Sequence, residues 1–212
     1  MSYTLDYFTA RETWRDWRVE ARLLTDLARL APAARVLEIG CGGGGLLKHL
    51  GECGASAVGI ETSQQALTAA RTRGFKLVHV GQSHALPFCA GSFDAILGQH
   101  VVEHLPDVPA MLSECSRVLK PGGRLVLATP NAHYPDPAHF ADTDHNHIYA
   151  PDELCQIIGR AGFVVENCST VFPFLSHSRA LRGLGVVAHD LFRRTPYFST
   201  HGRTIILAAQ KL

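Results

Sequence analysis

The stretch ARVLEIGCGGGGLL, residues 34–47, decides how the rest of the chain reads. Its apolar run Val36, Leu37 and Ile39 predicts a short strand covered on both faces within a parallel sheet. The run breaks into glycines, and the apolar period resumes with helical spacing at Leu46, Leu47 and Leu50. Strand, glycine turn and helix is the geometry that brings backbone N–H groups and a helix N-terminus against a ligand. Gly40, Gly42 and Gly45 satisfy G-x-G-x-x-G, a dinucleotide fingerprint that is weak by itself. Glu38 shifts that reading, because a carboxylate two residues before the turn repels a pyrophosphate and suits a ligand carrying an ammonium group. A tight turn with no ligand is the plain alternative.

At 212 residues with 46% apolar side chains, the chain can build one sizeable core and reads as a single domain over 1–212. A formal net charge of +1 with 18% charged residues predicts no large electrostatic field. A nucleic-acid partner is therefore disfavoured. Residues 1–16 hold no signal-type apolar run, and no segment approaches a membrane span, which points to a cytoplasmic protein without a membrane partner. The six cysteines, at 41, 53, 89, 115, 155 and 168, are scattered without a C-x-x-C pair. They read as reduced, mostly buried side chains.

Ahead of the glycines, Trp14, Trp17, Leu24, Leu27 and Leu30 recur at helical spacing. They predict an amphipathic helix over 10–31 that packs on the sheet edge or covers the site. Beyond them, Ser56 to Glu61 reads as a second strand ending in an acid. Glu61 lies about 20 residues past the turn, where a carboxylate can accept both hydroxyls of a ribose. Thr62 and Ser63 look like the start of the next helix, running to Arg73. A third strand at 76–80 leads into Gly81-Gln82-Ser83-His84-Ala85-Leu86-Pro87-Phe88, and a fourth at 92–100, ending in Gln99 and His100, runs into a polar loop. Then come Glu103-His104-Leu105-Pro106-Asp107, a helix over 111–120, and Leu119-Lys120-Pro121-Gly122-Gly123 turning into a fifth strand.

Glu38-x-Gly40-x-Gly42, the acid at 61, the E-H-L-x-D segment and Leu-Lys-Pro-Gly-Gly occur together in this order. In this the chain resembles the class I S-adenosylmethionine-dependent methyltransferases, of the small-molecule, type 11-like kind, over about residues 34–165. The resemblance implies an α/β fold, a Rossmann-like three-layer sandwich with helices on both faces of a seven-stranded, mostly parallel sheet. The implied strand order is 3-2-1-4-5-7-6 with the last strand antiparallel. It implies S-adenosyl-L-methionine as cofactor, with S-adenosyl-L-homocysteine as product. The cofactor would be held by Glu38, Gly40, Cys41, Gly42, Glu61, Thr62, Gln82, Ser83, Gly98 and Gln99. The family usually has Asp where Gln82 stands, so the adenine contact here falls to an uncharged carbonyl or to Ser83 or His84. Pro87 and Phe88 would form an apolar lid over the adenine.

The segment 133–149 is the one most suited to chemistry particular to this chain. It carries His133, Asp136, His139, Asp142, Asp144, His145 and His147 just after the fifth strand, where ligands of open α/β sheets sit. A substrate loop with a histidine base, a structural loop and a metal site are the three readings, in that order, and no metal is expected. Candidate bases are His147 first, then His100 and His145, since a neutral imidazole accepts a proton near pH 7. Pro151, Asp152 and Glu153 open a helix, a sixth strand follows at 163–166, and 204–209 is a final strand. The apolar stretch 171–200 reads as a helical cap or a dimer contact, leaving a homodimer open. The expected reaction is methyl transfer to an oxygen or nitrogen of a small molecule. A nicotinamide-dependent oxidoreductase, or a non-catalytic binding protein retaining the fold, is the alternative.

Overall fold

The structure, a computed structural model, describes residues 5–13, 15–79, 83–134, 143–171 and 195–212. Its centre is β1 (Arg35–Ile39), whose last four residues are buried. That strand is flanked by β2 (Ser56–Glu61) and β4 (Phe93–Gln99), both parallel to it. Outward on one side lies β3 (Leu77–His79), and on the other β5 (Leu119–Pro130), β7 (Thr204–Lys211) and β6 (Phe163–Val171). The order is β3-β2-β1-β4-β5-β7-β6, and β7 runs antiparallel to both of its neighbours. Seven strands in this order are the ones expected from the sequence.

Alternate residues of each central strand feed two apolar layers, the period-2 consequence of the pleat. Leu37, Ile39, Ile96, Leu125 and Leu127 pack on one face with α5 (Val108–Val118) and α6 (Pro151–Arg160). Val36, Ala95, Leu97, Val126 and Ala128 pack on the other with α2 (Arg15–Ala28) and α3 (Gly45–Glu52). The expected N-terminal helix is two helices, α1 (Leu5–Thr13) and α2. Leu24 of α2 is fully buried against the middle of the sheet rather than its edge. Helix α1 lies against α4 (Gln64–Thr72), with Phe8 packed among Ala66 and Ala69. The short helix α7 (Pro196–Thr200) leads into β7. Of the expected insertion at 171–200, residues 172–194 lie outside the described residues.

The Lys-Pro-Gly-Gly turn belongs to β5 rather than preceding it. Phe93 pairs with Leu119 and Ala95 with Arg124, so residues 120–123 form a bulge in the ladder. Gly122 turns there at φ +74. Asp94 closes the bulge, accepting from the Arg35 N–H at 2.8 Å and from Lys120 Nζ at 2.5 Å.

Because both faces of β1 are sealed, its side chains have no way to relax outward. Leu37→Ala should lower unfolding free energy by about 2–5 kcal/mol in urea titration; a loss under about 1 kcal/mol would contradict a rigid two-sided core.

Candidate functional site

The order of strands reverses between the parallel β1 and β4, and the crevice outside their C-terminal ends is where an open α/β sheet takes a ligand. Its floor is the bend from Gly40 to Gly45. Gly40, Gly42 and Gly44 all have positive φ, +67, +51 and +80, conformations in which a Cβ is strained. The Cys41 N–H donates to the Ile60 carbonyl (3.0 Å), and the Gly44 N–H donates to that of Cys41 (2.8 Å).

Glu61, at the end of β2, reaches this bend from its neighbour strand. One carboxylate oxygen accepts from the Gly42 N–H at 2.9 Å. The other accepts from the N–H groups of Thr62 and Ser63 at 2.7 and 2.9 Å. Ser63 Oγ caps α4 by accepting from the Ala66 N–H, as the sequence suggested.

A cavity opens above the bend, walled by Glu38, Gly40, Cys41, Gly42, Gly43, Gly45, Leu46 and Gln99, and closed by Phe8, Glu12 and Trp17 from the two N-terminal helices. Glu38 is only 3% exposed. Among the described residues the lining carries two carboxylates and no lysine, arginine or histidine. Such a wall rejects a pyrophosphate and accommodates an ammonium or sulfonium group, so the donor set fits S-adenosylmethionine. The Cys41 thiol is pushed far up by burial and by the Glu38 and Glu61 charges, so it stays protonated.

Several expected ligands have other partners. Gly98 is absent from the cavity wall; a Cβ there would lie 2.9 Å from Val101 and 3.0 Å from Leu127, so its smallness serves packing. Gln99 lines the cavity while its amide donates to Glu20 at 3.0 Å. Thr62 contacts Glu61, and Ser83 lies in the turn after β3. Gln82 lies outside the described residues. Phe88 is not a lid, because its ring packs edge-on against Phe93, at the end of β4 remote from Gln99. Six strand residues at about 3.3 Å each separate those ends.

His100 is corrected more sharply. Its φ is +56, and its two ring nitrogens face two acids, Nε2 at 2.9 Å from Glu20 and Nδ1 at 3.2 Å from Glu103. The other oxygens of those acids accept from Thr204 (2.6 Å) and Thr129 (2.9 Å). Burial works against the charged ring, but Glu20 and then Glu103 outweigh it and raise the His100 pKa to about 9. Glu20, which burial alone would raise, is lowered to about 2 chiefly by His100, with bonds from Thr204 and Gln99. A ring protonated at neutral pH with both nitrogens engaged cannot accept a proton, so His100 is a clamp between α2, β4 and β5 and no base.

The remaining histidines diverge. His147 Nε2 lies 2.8 Å from Glu153 Oε1, its ring is edge-on to Tyr149, and its backbone N–H donates to the Glu103 carbonyl. Its side chain is 51% exposed. His145 instead packs on His104, ring centroids 4.8 Å apart. Glu103, His104 and His145 bring donor atoms within 4.8 Å of one another. Both Glu103 oxygens, however, are already bonded to His100 and Thr129, and His104 Nδ1 donates to the Asp144 carbonyl. Asp136, His139 and Asp142 lie outside the described residues. Sequence reading missed Glu20, Gly43, Phe8 and Glu12; a lone acid in an amphipathic helix and one more glycine in a run carry no periodic signal.

The clamp has a defined pH signature. The raised His100 value means its stabilisation is complete below its ordinary pKa of 6.5 and is lost as pH rises through about 9. The lowered Glu20 value means its share is present above 4.5 and is lost as pH falls towards about 2. Relative to His100→Gln, the wild type should lose on the order of 2 kcal/mol between about pH 6 and about pH 10 in denaturant titrations. Parallel curves for the two proteins would refute the clamp.

Comparison with known proteins agrees with this geometry. A family profile described as "Methyltransferase domain" matches residues 10–167. A ubiquinone biosynthesis O-methyltransferase of Xanthomonas axonopodis is 40% identical over 121 residues, 54% of this chain and 49% of that protein. One from Cereibacter sphaeroides is 30% identical over 207 residues, 84% of this chain and 77% of the relative. The chain spans about half the length of the first of these curated relatives. An S-adenosylmethionine-dependent methyltransferase from Archaeoglobus fulgidus superposes with a TM-score of 0.70 at 22% identity, covering 97% of this chain and 99% of that one. No described helix is long and apolar enough to cross a membrane. A phosphate-rejecting glycine bend at the β1–β4 switch point, in a seven-stranded sheet of this order, and a family match over three quarters of its length lead to one assignment: the chain belongs to the class I S-adenosylmethionine-dependent methyltransferases.

Proposed function

We propose that this chain moves a methyl group from S-adenosylmethionine to an oxygen or nitrogen of a small molecule, by in-line displacement. The observation that carries the reading is the cavity wall, with buried Glu38, half-buried Glu12 and no cationic side chain in the lining among the described residues. It speaks against the nicotinamide alternative, whose pyrophosphate such a wall repels. The names of the O-methyltransferase relatives favour oxygen as the atom methylated.

When bound, the cofactor supplies a methyl group already activated on a sulfonium, so the protein's task is alignment in a site shielded from water. Glu38 and the N–H groups of the bend would hold the amino-acid end. Glu61, whose oxygens already accept three backbone N–H groups, would turn towards the ribose hydroxyls while keeping its place beside Gly42. A hydroxyl or amine acceptor must also lose a proton. His147 is the group suited to take it: if Nε2–H donates to Glu153, the Nδ1 lone pair is left as acceptor, with the ring oriented by Tyr149.

Titration calorimetry with S-adenosylhomocysteine and NADH tests the cofactor; binding of NADH alone would overturn the reading. Glu61→Ala should weaken S-adenosylhomocysteine by about 1.5–3 kcal/mol, the loss of a charge-assisted bond. His147→Ala should lower kcat by about 10²–10⁴ at unchanged cofactor affinity. Full turnover in that variant would remove His147 as base.

A further inference from the structure

We propose that α1 is a latch over the cofactor cavity, held shut by an ion pair between Glu12 and Arg73. The proposal builds on the cofactor reading above but stands on separate contacts. Phe8, 7% exposed, lies directly on the glycine bend. A methyl in place of a Gly43 hydrogen would sit 2.5 Å from Phe8 Cβ and Cγ, and one at Gly42 would sit 2.9 Å from Cε1. One turn further along α1, Glu12 meets Arg73 in a two-pronged pair, Nη1 to Oε1 and Nη2 to Oε2 (2.7 Å). Arg73 Nη1 also donates to the Gly43 carbonyl at 2.8 Å. One guanidinium therefore ties the helix and the bend together, a role its planar fork permits and an ammonium does not.

The cavity beneath measures about 40 Å³. That is room for about three waters, whereas sites for ligands of drug size run to about 300–1,000 Å³. A nucleoside-sized molecule is admitted only when α1 lifts. The helix is suited to lifting, since it is nine residues long and Phe8 is its one buried apolar anchor among those described. Arg73 sits outside the cavity wall at the end of α4, so it acts on the cofactor only through α1 and the bend and is a positioning residue.

Two measurements test this on the full chain. Arg73→Gln should raise amide hydrogen exchange across residues 5–13 at least tenfold in the protein alone, with Arg73→Lys in between. In stopped flow with S-adenosylhomocysteine, Arg73→Gln should speed association about tenfold with dissociation nearly unchanged, lowering Kd about tenfold, because the shut latch belongs to the unliganded cavity. A residue that merely supported the site would raise dissociation alone and weaken Kd. Unchanged exchange at 5–13 in both variants, or faster dissociation without faster association, would overturn the latch. Failure of the wild type to bind S-adenosylhomocysteine would instead sink the cofactor reading, and the exchange arm would still decide the latch.

Discussion

A strand buried on both faces must end somewhere, and here the end of β1 leaves a run of backbone N–H groups in the glycine bend that need acceptors. Glu61 answers from the neighbouring strand, joining the Gly42, Thr62 and Ser63 N–H groups through one carboxylate. The parallel register of β1 and β2, with Glu38 opposite Gly59 and Ile39 opposite Ile60, brings that acid level with the bend. Sheet geometry and site geometry are thus one constraint. A polar group left unpaired at this depth would cost about 1–3 kcal/mol, comparable to a sizeable part of the stability of a domain.

The second organising interaction is the Glu20–His100–Glu103 clamp. It joins an N-terminal helix to the ends of β4, β5 and β7 by charge-assisted bonds, in a region where apolar packing alone would not set orientation. The clamp also separates two parts of the active region. On one side the Gln99 amide faces both Glu20 and the cavity; on the other the Glu103 carbonyl receives the N–H groups of Asn146 and His147. Cofactor pocket and histidine loop are therefore linked through a few fully bonded buried groups.

Two charge arrangements divide the work. Carboxylates without cations line the cavity, while arginine and histidine cations lie behind it, pairing with acids that hold structure. Glu12 belongs to both, being part of the lining and the partner of Arg73. That double membership is what couples the position of α1 to the charge seen by a ligand.

The order of strands came from the family resemblance, whereas local pattern alone carried the strand–glycine–helix unit, the acid at 61 and the Ser63 cap, because each depends on residues near in sequence or on a period that burial imposes. What it could not carry were pairings across long separations. Glu20 with His100, Glu12 with Arg73 and Phe8 with Gly43 join residues on different elements, and no spacing rule relates them. The same limit explains the errors. His100 and Phe88 were assigned from their neighbours in sequence, but an imidazole is a base or a cation according to the charges folded around it. Likewise a phenylalanine is lid or core according to which end of a strand it meets.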